Sequence, residues 1–287
     1  EGIFHCRKYE KTSDMESQMY SKVKDIEMFL KEHTDKPFIL CEYSHAMGNS
    51  CGGHRKYSEL AKHNPRYQGG FIWDFIDQAI LHKNDNGVSC LAYGGDFNER
   101  PNDGGFCTDG IVTADRTWSP KMPEIKHNYQ NIDCVLSESK TTITNYSLFT
   151  NTSEYDCIIS MYSDGIKIGE VILETDVEPL GKRVYEIPDV LVASIMQVEG
   201  ECSYQVSFIL KEDESWAEKG HEVAFDQYSF VVGTSENVID EAPDVDFCDN
   251  NIGVRGDDYT AMFNKSGGLI SYTYKGKELL RSNMTPN

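Results

Sequence analysis

Two short apolar runs, separated by a helical pattern, constrain the fold of this 287-residue chain more than any other feature. They occupy residues 38–41 (FILC) and 69–73 (GGFIW), and neither alternates between apolar and polar side chains. A strand that is apolar on both faces is typical of a parallel sheet covered by helices. Residues 21–33 and 55–63 have the apolar spacing of such helices. The sequence therefore predicts a (β/α) barrel or a doubly wound sheet.

This pattern is too short for a complete barrel. A (β/α)8 barrel needs about 250 residues, but near residue 130 the pattern of apolar runs and helices gives way to short alternating strands. Three or four strand–helix units fit into that length. Because the chain also begins in mid-pattern at Glu1, we expect residues 1–130 to be the C-terminal half of a (β/α)8 catalytic barrel.

The rest of the chain reads as β structure. Residues 131–235 contain about seven short alternating strands, with a hairpin signal at 163–165 (SDG), and this predicts an immunoglobulin-like β-sandwich. The Cys…Trp…Cys spacing of antibody domains is absent from the sequence. An acidic linker is predicted at 236–246, and residues 247–287 are expected to begin a further, truncated β-sandwich domain.

Composition excludes several function classes. With 27 basic and 47 acidic residues the net charge is −20, which would repel nucleic acid and has no effect on a neutral sugar. The sequence has neither an apolar run of about 18 residues nor a signal pattern, so we expect a cytoplasmic protein without a membrane partner. Nine cysteines without CxxC pairs predict buried, reduced thiols, among them Cys41, Cys90 and Cys157.

Glu42 is the candidate catalytic residue. It follows the apolar run 38–41, and catalytic groups of (β/α) barrels lie at the C-terminal ends of strands. Tyr43, His45 and Asn49 are close enough in sequence to bind a sugar or to orient the carboxylate. On spacing alone, a structural Glu that caps the next helix or pairs with a base is an equal alternative.

Four motifs strengthen the catalytic interpretation. They are CEYSHAMGNS, QGGFIWDFIDQAI, YGGDF and FCTDGIVTADR, which begin at residues 41, 68, 93 and 106. In order and spacing they resemble the bacterial β-galactosidases of glycoside hydrolase family 2, and the resemblance extends over most of the chain. It implies hydrolysis of terminal non-reducing β-D-galactose residues by a retaining, double-displacement mechanism.

The resemblance also implies roles for individual residues. Glu42 would be the nucleophile, His45 would contact the galactosyl hydroxyls, and Trp73 would offer its aromatic face to the sugar. Tyr20 would hold the Glu42 carboxylate by a hydrogen bond, and Met19 would line the same pocket. Without the resemblance, a barrel-core position for Trp73 and structural roles for His45, Tyr20 and Met19 are the alternatives.

Two metal ions are implied in the same way. A sodium site beside the sugar would use the Phe106 carbonyl and the Asp109 side chain, since oxygen ligands suit a hard cation. Asp109 stands where the family more often has Asn, which keeps an oxygen ligand and adds a charge; a tight Asp-Gly turn without an ion is the alternative. The magnesium ion of the parent enzyme would be bound by residues that are not in this chain.

A retaining glycosidase needs two carboxyl groups, and the family's acid/base motif does not occur in this sequence. We expect Asp74, Asp77, Asp96 and Asp103 to be structural rather than substitutes for it. The isolated chain is therefore predicted to be inactive, and its partners are predicted to be the missing N-terminal part of the enzyme and further copies in a homo-oligomer. A non-catalytic complementing subunit or carbohydrate-binding module is the main alternative function. Within the family, β-glucuronidase and β-mannosidase are the alternatives.

Overall fold

A computed structural model describes residues 13–233 and 242–281 of the chain. They belong to two compact units that divide after residue 233. No helix within these residues is long and apolar enough to cross a membrane. Because residues 13–233 form one unit, the predicted boundary near residue 130 remains a prediction. Residues 236–241 of the predicted linker lie outside the described ranges.

The first unit begins with a parallel sheet of three strands in the order β1-β2-β3. The strands are β1 (Glu16–Met19), β2 (Phe38–Tyr43) and β3 (Tyr67–Ile72). Two helices connect them in turn, α1 (Val23–Glu32) and α2 (Arg55–His63). The predicted strands at 38–41 and 69–73 and the predicted helices are confirmed within two residues at each end.

Apolar burial between α1 and β2 holds this layer together. Ile26 and Leu30 of α1 pack against Phe38 and Leu40 of β2, and all four are at most 1% exposed. Burying one such side chain contributes about 1.5–3 kcal/mol. The other face of the sheet is open, since Phe71 of β3 is 64% exposed. The strands therefore have apolar side chains on both faces of the sheet, but only the face that packs against the helices is buried.

The sequence pattern does not predict three elements that lie between β3 and the sandwich. They are an antiparallel hairpin of β4 (Ile80–Lys83) and β5 (Ser89–Ala92), a 3₁₀ turn (Gly104–Cys107) and helix α3 (Met122–Tyr129). The prediction that Cys90 is buried is wrong, because no layer covers β5 at that point, and Cys41 is only half-buried. Cys157 is buried as predicted.

Residues 132–232 form two antiparallel sheets. Their strands are β6 (Ile132–Leu136), β7 (Lys140–Asn145), β8 (Tyr155–Ser163), β9 (Ile166–Leu173), β10 (Lys182–Glu186), β11 (Gly200–Leu210) and β12 (Glu222–Val232), and helix α4 is Asp189–Ile195. One sheet has the order β10-β7-β6 and the other β12-β11-β8-β9. Inward-facing side chains of both sheets, including Ile143, Ile159 and Phe208, form a single buried core.

The predicted hairpin at 163–165 is confirmed, with Asp164 and Gly165 both at positive φ. The alternating pattern of residues 141–148 predicts a strand as far as Leu148, and this prediction is wrong. Strand β7 ends at Asn145, whose side-chain amide donates to the carbonyl oxygens of Thr150 and Val177 while its oxygen accepts the N–H of Ser147. These bonds stabilise a bend in place of further strand. Strand β10 and helix α4 were not predicted.

The second unit is a five-stranded antiparallel sheet in the order β13-β14-β15-β16-β17. The strands are β13 (Asp244–Phe247), β14 (Asn251–Arg255), β15 (Tyr259–Asn264), β16 (Gly268–Tyr274) and β17 (Lys277–Glu278). Two predictions need correction here. Residues 244–246 belong to a strand rather than to a linker, because β13 pairs with β14. The length of residues 247–287 also predicts one or two hairpins, that is, at most four strands, whereas the sheet has five.

Candidate active site

Three of the predicted site residues lie at the same edge of the parallel sheet. Tyr20 follows β1, Glu42 is the next-to-last residue of β2, and Trp73 follows β3. Backbone bonds join them: the Tyr20 N–H donates to the Glu42 carbonyl (2.9 Å), and the Trp73 N–H donates to the Tyr43 carbonyl (3.1 Å). Parallel strands place their carboxyl ends together, and this is where (β/α) folds bind ligands.

The strand is irregular at Glu42. Strand β1 pairs with β2 in one register up to Gln18, and a shift then places Met19 opposite Glu42. The pairing of β2 with β3 also shifts between Leu40 and Tyr43. Such irregularities are common beside active sites, where they redirect a side chain. Glu42 thus lies where the register shifts in the pairing with both neighbouring strands, and Met19 is its partner on β1.

The side chain of Tyr20 lies against that of Glu42. Burial, followed by the hydrogen bond of its hydroxyl to the Glu42 carboxylate, raises the pKa of Tyr20 above its usual range, and the nearby charge of Asp109 acts in the same direction. Tyr20 therefore stays protonated and donates to the carboxylate at any physiological pH. Its backbone is in the left-handed region (φ 54°), which turns the chain at the end of β1.

His45 lies in the loop after β2. Its ring centroid is 6.1 Å from that of Tyr20 and 6.5 Å from that of Phe106. The loop is fixed to β3, since the N–H of Ala46 donates to the Trp73 carbonyl (2.8 Å). His45 is half-buried, so one side of its ring remains accessible to a ligand at the sheet edge.

A cavity of about 360 Å³ opens beside Trp73. Its lining residues come from the segment after β3, from the loop before the 3₁₀ turn, and from the turn and the residues that follow it: Trp73, Gln78, Gly94, Glu99, Pro101, Asn102, Asp103, Gly104, Phe106, Cys107 and Asp109. Three of them are carboxylates, and none of the described lining residues is basic. Gln78, Glu99 and Asn102 were not singled out from the sequence. The only signal for them was the cluster of turn residues between the YGGDF and FCTDG motifs.

Asp109 is the buried member of this lining. It is 1% exposed, and its Oδ1 has no hydrogen-bond partner within the described residues. The Asp-Gly turn is fixed by its neighbours: the N–H of Gly110 donates to the Asp77 carboxylate (2.7 Å), and a Cβ at position 110 would lie 2.3 Å from the Asp77 nitrogen. A buried carboxylate oxygen without a partner is costly. A cation bound there would remove that cost.

Other acids near the site are used locally. The Asp74 carboxylate accepts from the N–H of Phe75 and the amide of Gln78, and the Asp96 carboxylate accepts the N–H of Tyr93. Asp77 accepts the Gly110 bond described above, while Asp103 lines the cavity. Within residues 13–233 and 242–281, no three His, Cys, Asp or Glu residues are placed to hold a metal ion together.

Two family models match the chain. "Glycosyl hydrolases family 2, TIM barrel domain" matches residues 2–134, and "Beta-galactosidase, domain 4" matches residues 141–231. The chain belongs to glycosyl hydrolase family 2. Within the family, it is similar to a β-galactosidase of Halalkalibacterium halodurans, with 46% identity over all of this chain. A Priestia megaterium β-galactosidase is 40% identical over all of the chain, and one from Streptococcus thermophilus is 38% identical over 98% of it.

The chain spans less than a third of the length of these family 2 relatives, 28% or 29% of each. Among solved structures, a Bacteroides uniformis β-glucuronidase aligns with a TM-score of 0.30 and 13% identity, covering 77% of this chain and 26% of that one. A score this low carries no argument about fold or substrate. The assignment to the family therefore rests on sequence.

Proposed function

We propose that the chain supplies the nucleophile to a retaining β-galactosidase, and that Glu42 is that nucleophile. The observation that carries the proposal is the Glu42 carboxylate at the carboxyl edge of the parallel sheet, hydrogen-bonded by Tyr20. A carboxylate that is partly desolvated, oriented by a donor and close to an open cavity has the properties of a glycosidase nucleophile.

The reaction follows from these contacts. A Glu42 carboxylate oxygen attacks the anomeric carbon while the glycosidic C–O bond breaks, the acid/base supplied from outside this chain protonates the departing oxygen, and a covalent glycosyl-enzyme forms. Tyr20 limits the rotation of the carboxylate, because its hydroxyl donates a hydrogen bond to it. Water then displaces Glu42 from the same anomeric carbon. Two inversions give net retention of configuration.

The surrounding residues bind and orient the sugar. The indole of Trp73 lines the cavity and offers an apolar face to the C–H groups of the sugar. His45, between Tyr20 and Phe106, can hydrogen-bond to a hydroxyl group of the substrate. Met19 lies opposite Glu42 on β1 and contributes apolar surface beside the nucleophile.

We propose that the acid/base and the magnesium ligands come from outside this chain. Asp109 is the second carboxylate, after Glu42, whose charge acts on Tyr20, but it is almost fully buried and cannot reach a leaving group. Asp74, Asp77 and Asp96 are held by local hydrogen bonds. The two carboxyl groups of a retaining enzyme must be about 5–5.5 Å apart, so the second has to be brought to Glu42 by another part of the enzyme.

A sodium ion fits the donors that are present. The unpartnered Oδ1 of Asp109 is a suitable oxygen ligand, and Phe106, whose carbonyl is the second proposed ligand, lines the same cavity. Bound there, the ion would offset the buried charge of Asp109 and offer a coordination position to a sugar hydroxyl.

Galactosides are favoured over glucuronides by the charge of the cavity. Glu99, Asp103 and Asp109 line it without a basic side chain among the described residues, and a uronic acid carboxylate would be repelled. The curated relatives quoted above are β-galactosidases. A β-mannoside is uncharged, like a β-galactoside, so the charge of the cavity does not distinguish the two substrates. They differ only in stereochemistry.

The architecture suggests the partner. We propose that the parallel sheet is part of a (β/α)8 barrel, that the sandwich is of immunoglobulin type, and that the upstream part of the enzyme covers the free edge of β3. Phe71, Phe75 and Trp118 are 57–64% exposed around an apolar cavity of about 530 Å³ beside that edge, and an exposed apolar surface of this kind marks an interaction site. Assembly into a homo-oligomer remains a prediction.

A chimera tests the proposal. This chain would replace the matching segment of the H. halodurans β-galactosidase, and the purified protein would be assayed with nitrophenyl β-galactoside, β-glucuronide and β-mannoside. We expect β-galactoside hydrolysis that is lost in Glu42→Gln while the melting temperature is unchanged. A folded chimera without β-galactosidase activity, or an active Glu42→Gln variant, would overturn the proposal. Sugar binding by the chain alone that survives Glu42→Gln would favour a non-catalytic binding module.

A further inference from the structure

A polar network lies directly behind the proposed nucleophile, buried at Tyr43 and His54 and exposed at Tyr129. The Tyr43 hydroxyl is 2.8 Å from Nε2 of His54 and 2.8 Å from the hydroxyl of Tyr129. Tyr43 is 3% exposed and His54 is fully buried. Tyr43 belongs to β2, His54 precedes α2, and Tyr129 ends α3. Three separate elements therefore meet at one hydroxyl group.

The two buried side chains of the network are both hydrogen-bonded. Burial lowers the pKa of His54, so its ring is neutral and has one donor and one acceptor. The hydrogen bonds run either from Tyr129 through Tyr43 to Nε2 of His54 or in the reverse direction, and Nδ1 of His54 lies 3.5 Å from the Ser58 hydroxyl. Both directions leave Tyr43 and His54 with partners, and a satisfied buried network favours a rigid geometry.

Glu42 needs such a support, because the sheet does not provide it. The ladder hydrogen bonds shift register on both sides of Glu42, and Ser44, two residues later, is at a positive φ of 50°. Adjacent residues of a strand point to opposite faces, so fixing the Tyr43 side chain on one face fixes the direction of Glu42 on the other. The Tyr43 carbonyl also accepts the Trp73 N–H, which links the same point to the proposed sugar platform.

We propose that Tyr43, with His54 and Tyr129, is a positioning residue that sets the reach of the Glu42 carboxylate. The inference rests on the proposed function and names residues that contact neither substrate nor cofactor. Misplacing a reacting group by about 1 Å costs up to about 100-fold in rate. Loss of the network should therefore lower kcat more than it changes KM.

The test compares variants in the chimera described above. Tyr43→Phe removes one hydroxyl and should lower kcat about tenfold, with KM within about twofold of wild type. Tyr57→Phe is the matched control, because its ring packs against Tyr43 at 5.2 Å but its hydroxyl bonds to the Ser21 carbonyl outside the network. The control should keep wild-type kcat.

A double variant separates positioning from stability. Tyr43→Phe combined with His54→Phe replaces both buried polar partners by apolar groups, and we expect a higher melting temperature than in Tyr43→Phe alone. We expect kcat to stay low in this stable protein. Wild-type kcat in Tyr43→Phe, or recovery of kcat together with melting temperature in the double variant, would overturn the positioning role and leave the proposed function intact. A folded but inactive wild-type chimera would overturn the proposed function, and this inference with it.

Discussion

Asp226 of β12 joins the sandwich to the segment that leads into it. Its carboxylate accepts the N–H of Cys134 (2.6 Å), Nε2–H of His127 (3.1 Å) and the side-chain amide of Gln130 (3.4 Å). The Asp226 side chain is only 18% exposed. Replacement by Ala would remove the two carboxylate oxygens that accept all three hydrogen bonds of the junction.

The size of the effect can be worked out from these bonds. A buried N–H left without an acceptor costs about 1–3 kcal/mol, and each further hydrogen bond contributes about 1 kcal/mol. Burial raises the pKa of Asp226, so part of this gain is offset by desolvation of the charge. We expect Asp226→Ala to destabilise the junction by about 3 kcal/mol, which is roughly a 100-fold fall in amide protection.

Native-state hydrogen exchange at the Cys134 amide measures this directly. Asp133→Ala is the control, because it removes a neighbouring carboxylate whose partner is the Lys62 ammonium (2.6 Å) and leaves the buried N–H bonded. A partly exposed ion pair contributes about 0–1 kcal/mol. Equal protection of Cys134 in the wild type and in Asp226→Ala would refute the reasoning.

Three further predictions concern packing, pH and local stability. Gly70→Ala should cost about 1–3 kcal/mol, because its Cβ would lie 2.8 Å from that of Leu40. Gly52→Ala should not lower the stability, because nothing lies within 4 Å of a Cβ at that position. Equal urea midpoints for the Gly70→Ala and Gly52→Ala variants would contradict this prediction. Hydrogen bonds from Ser271 and two backbone N–H groups lower the pKa of Glu278 to about 2. These hydrogen bonds therefore stabilise the sheet that contains Glu278 at pH values above the ordinary carboxyl pKa. The contribution is lost as the pH falls towards 2. Urea unfolding of Glu278→Gln should lack this pH dependence. The amides of β1–β3, a sheet with one open face, should exchange faster with solvent than those of β8 and β11. Slower exchange in β1–β3 than in β8 and β11 would contradict this prediction.

Periodicity predicted the elements whose burial it reflects. The helix at residues 55–63 and the strand at 38–41 were found because their apolar side chains face a common layer. The β4–β5 hairpin was not, since its side chains are mostly exposed and have no apolar pattern. The early end of β7 depends on the bonds of Asn145 to residues up to 33 positions away. No local pattern contains that information.

The candidate site likewise has features that the sequence predicts and features that it does not. Glu42 and Trp73 could be placed at one edge from the sequence, because parallel strands bring their carboxyl ends together. The acidic lining of the cavity could not, since it depends on how the loop with Glu99 returns to the sheet. The hydrogen bond between Tyr43 and Tyr129 joins residues 86 positions apart. Their pairing follows only from the packing of α3 behind β2.

The most direct test of the central claim is to trap the glycosyl-enzyme. The chimera would be incubated with a 2-deoxy-2-fluoro-β-galactoside that has a reactive leaving group, digested with pepsin and analysed by mass spectrometry. Double displacement by Glu42 predicts one fluorogalactosyl adduct, on the peptide that contains CEYSHAMGNS, and no adduct there in Glu42→Gln. An adduct on a different carboxylate, or an active enzyme that forms no adduct, would contradict the assignment of Glu42 as the nucleophile.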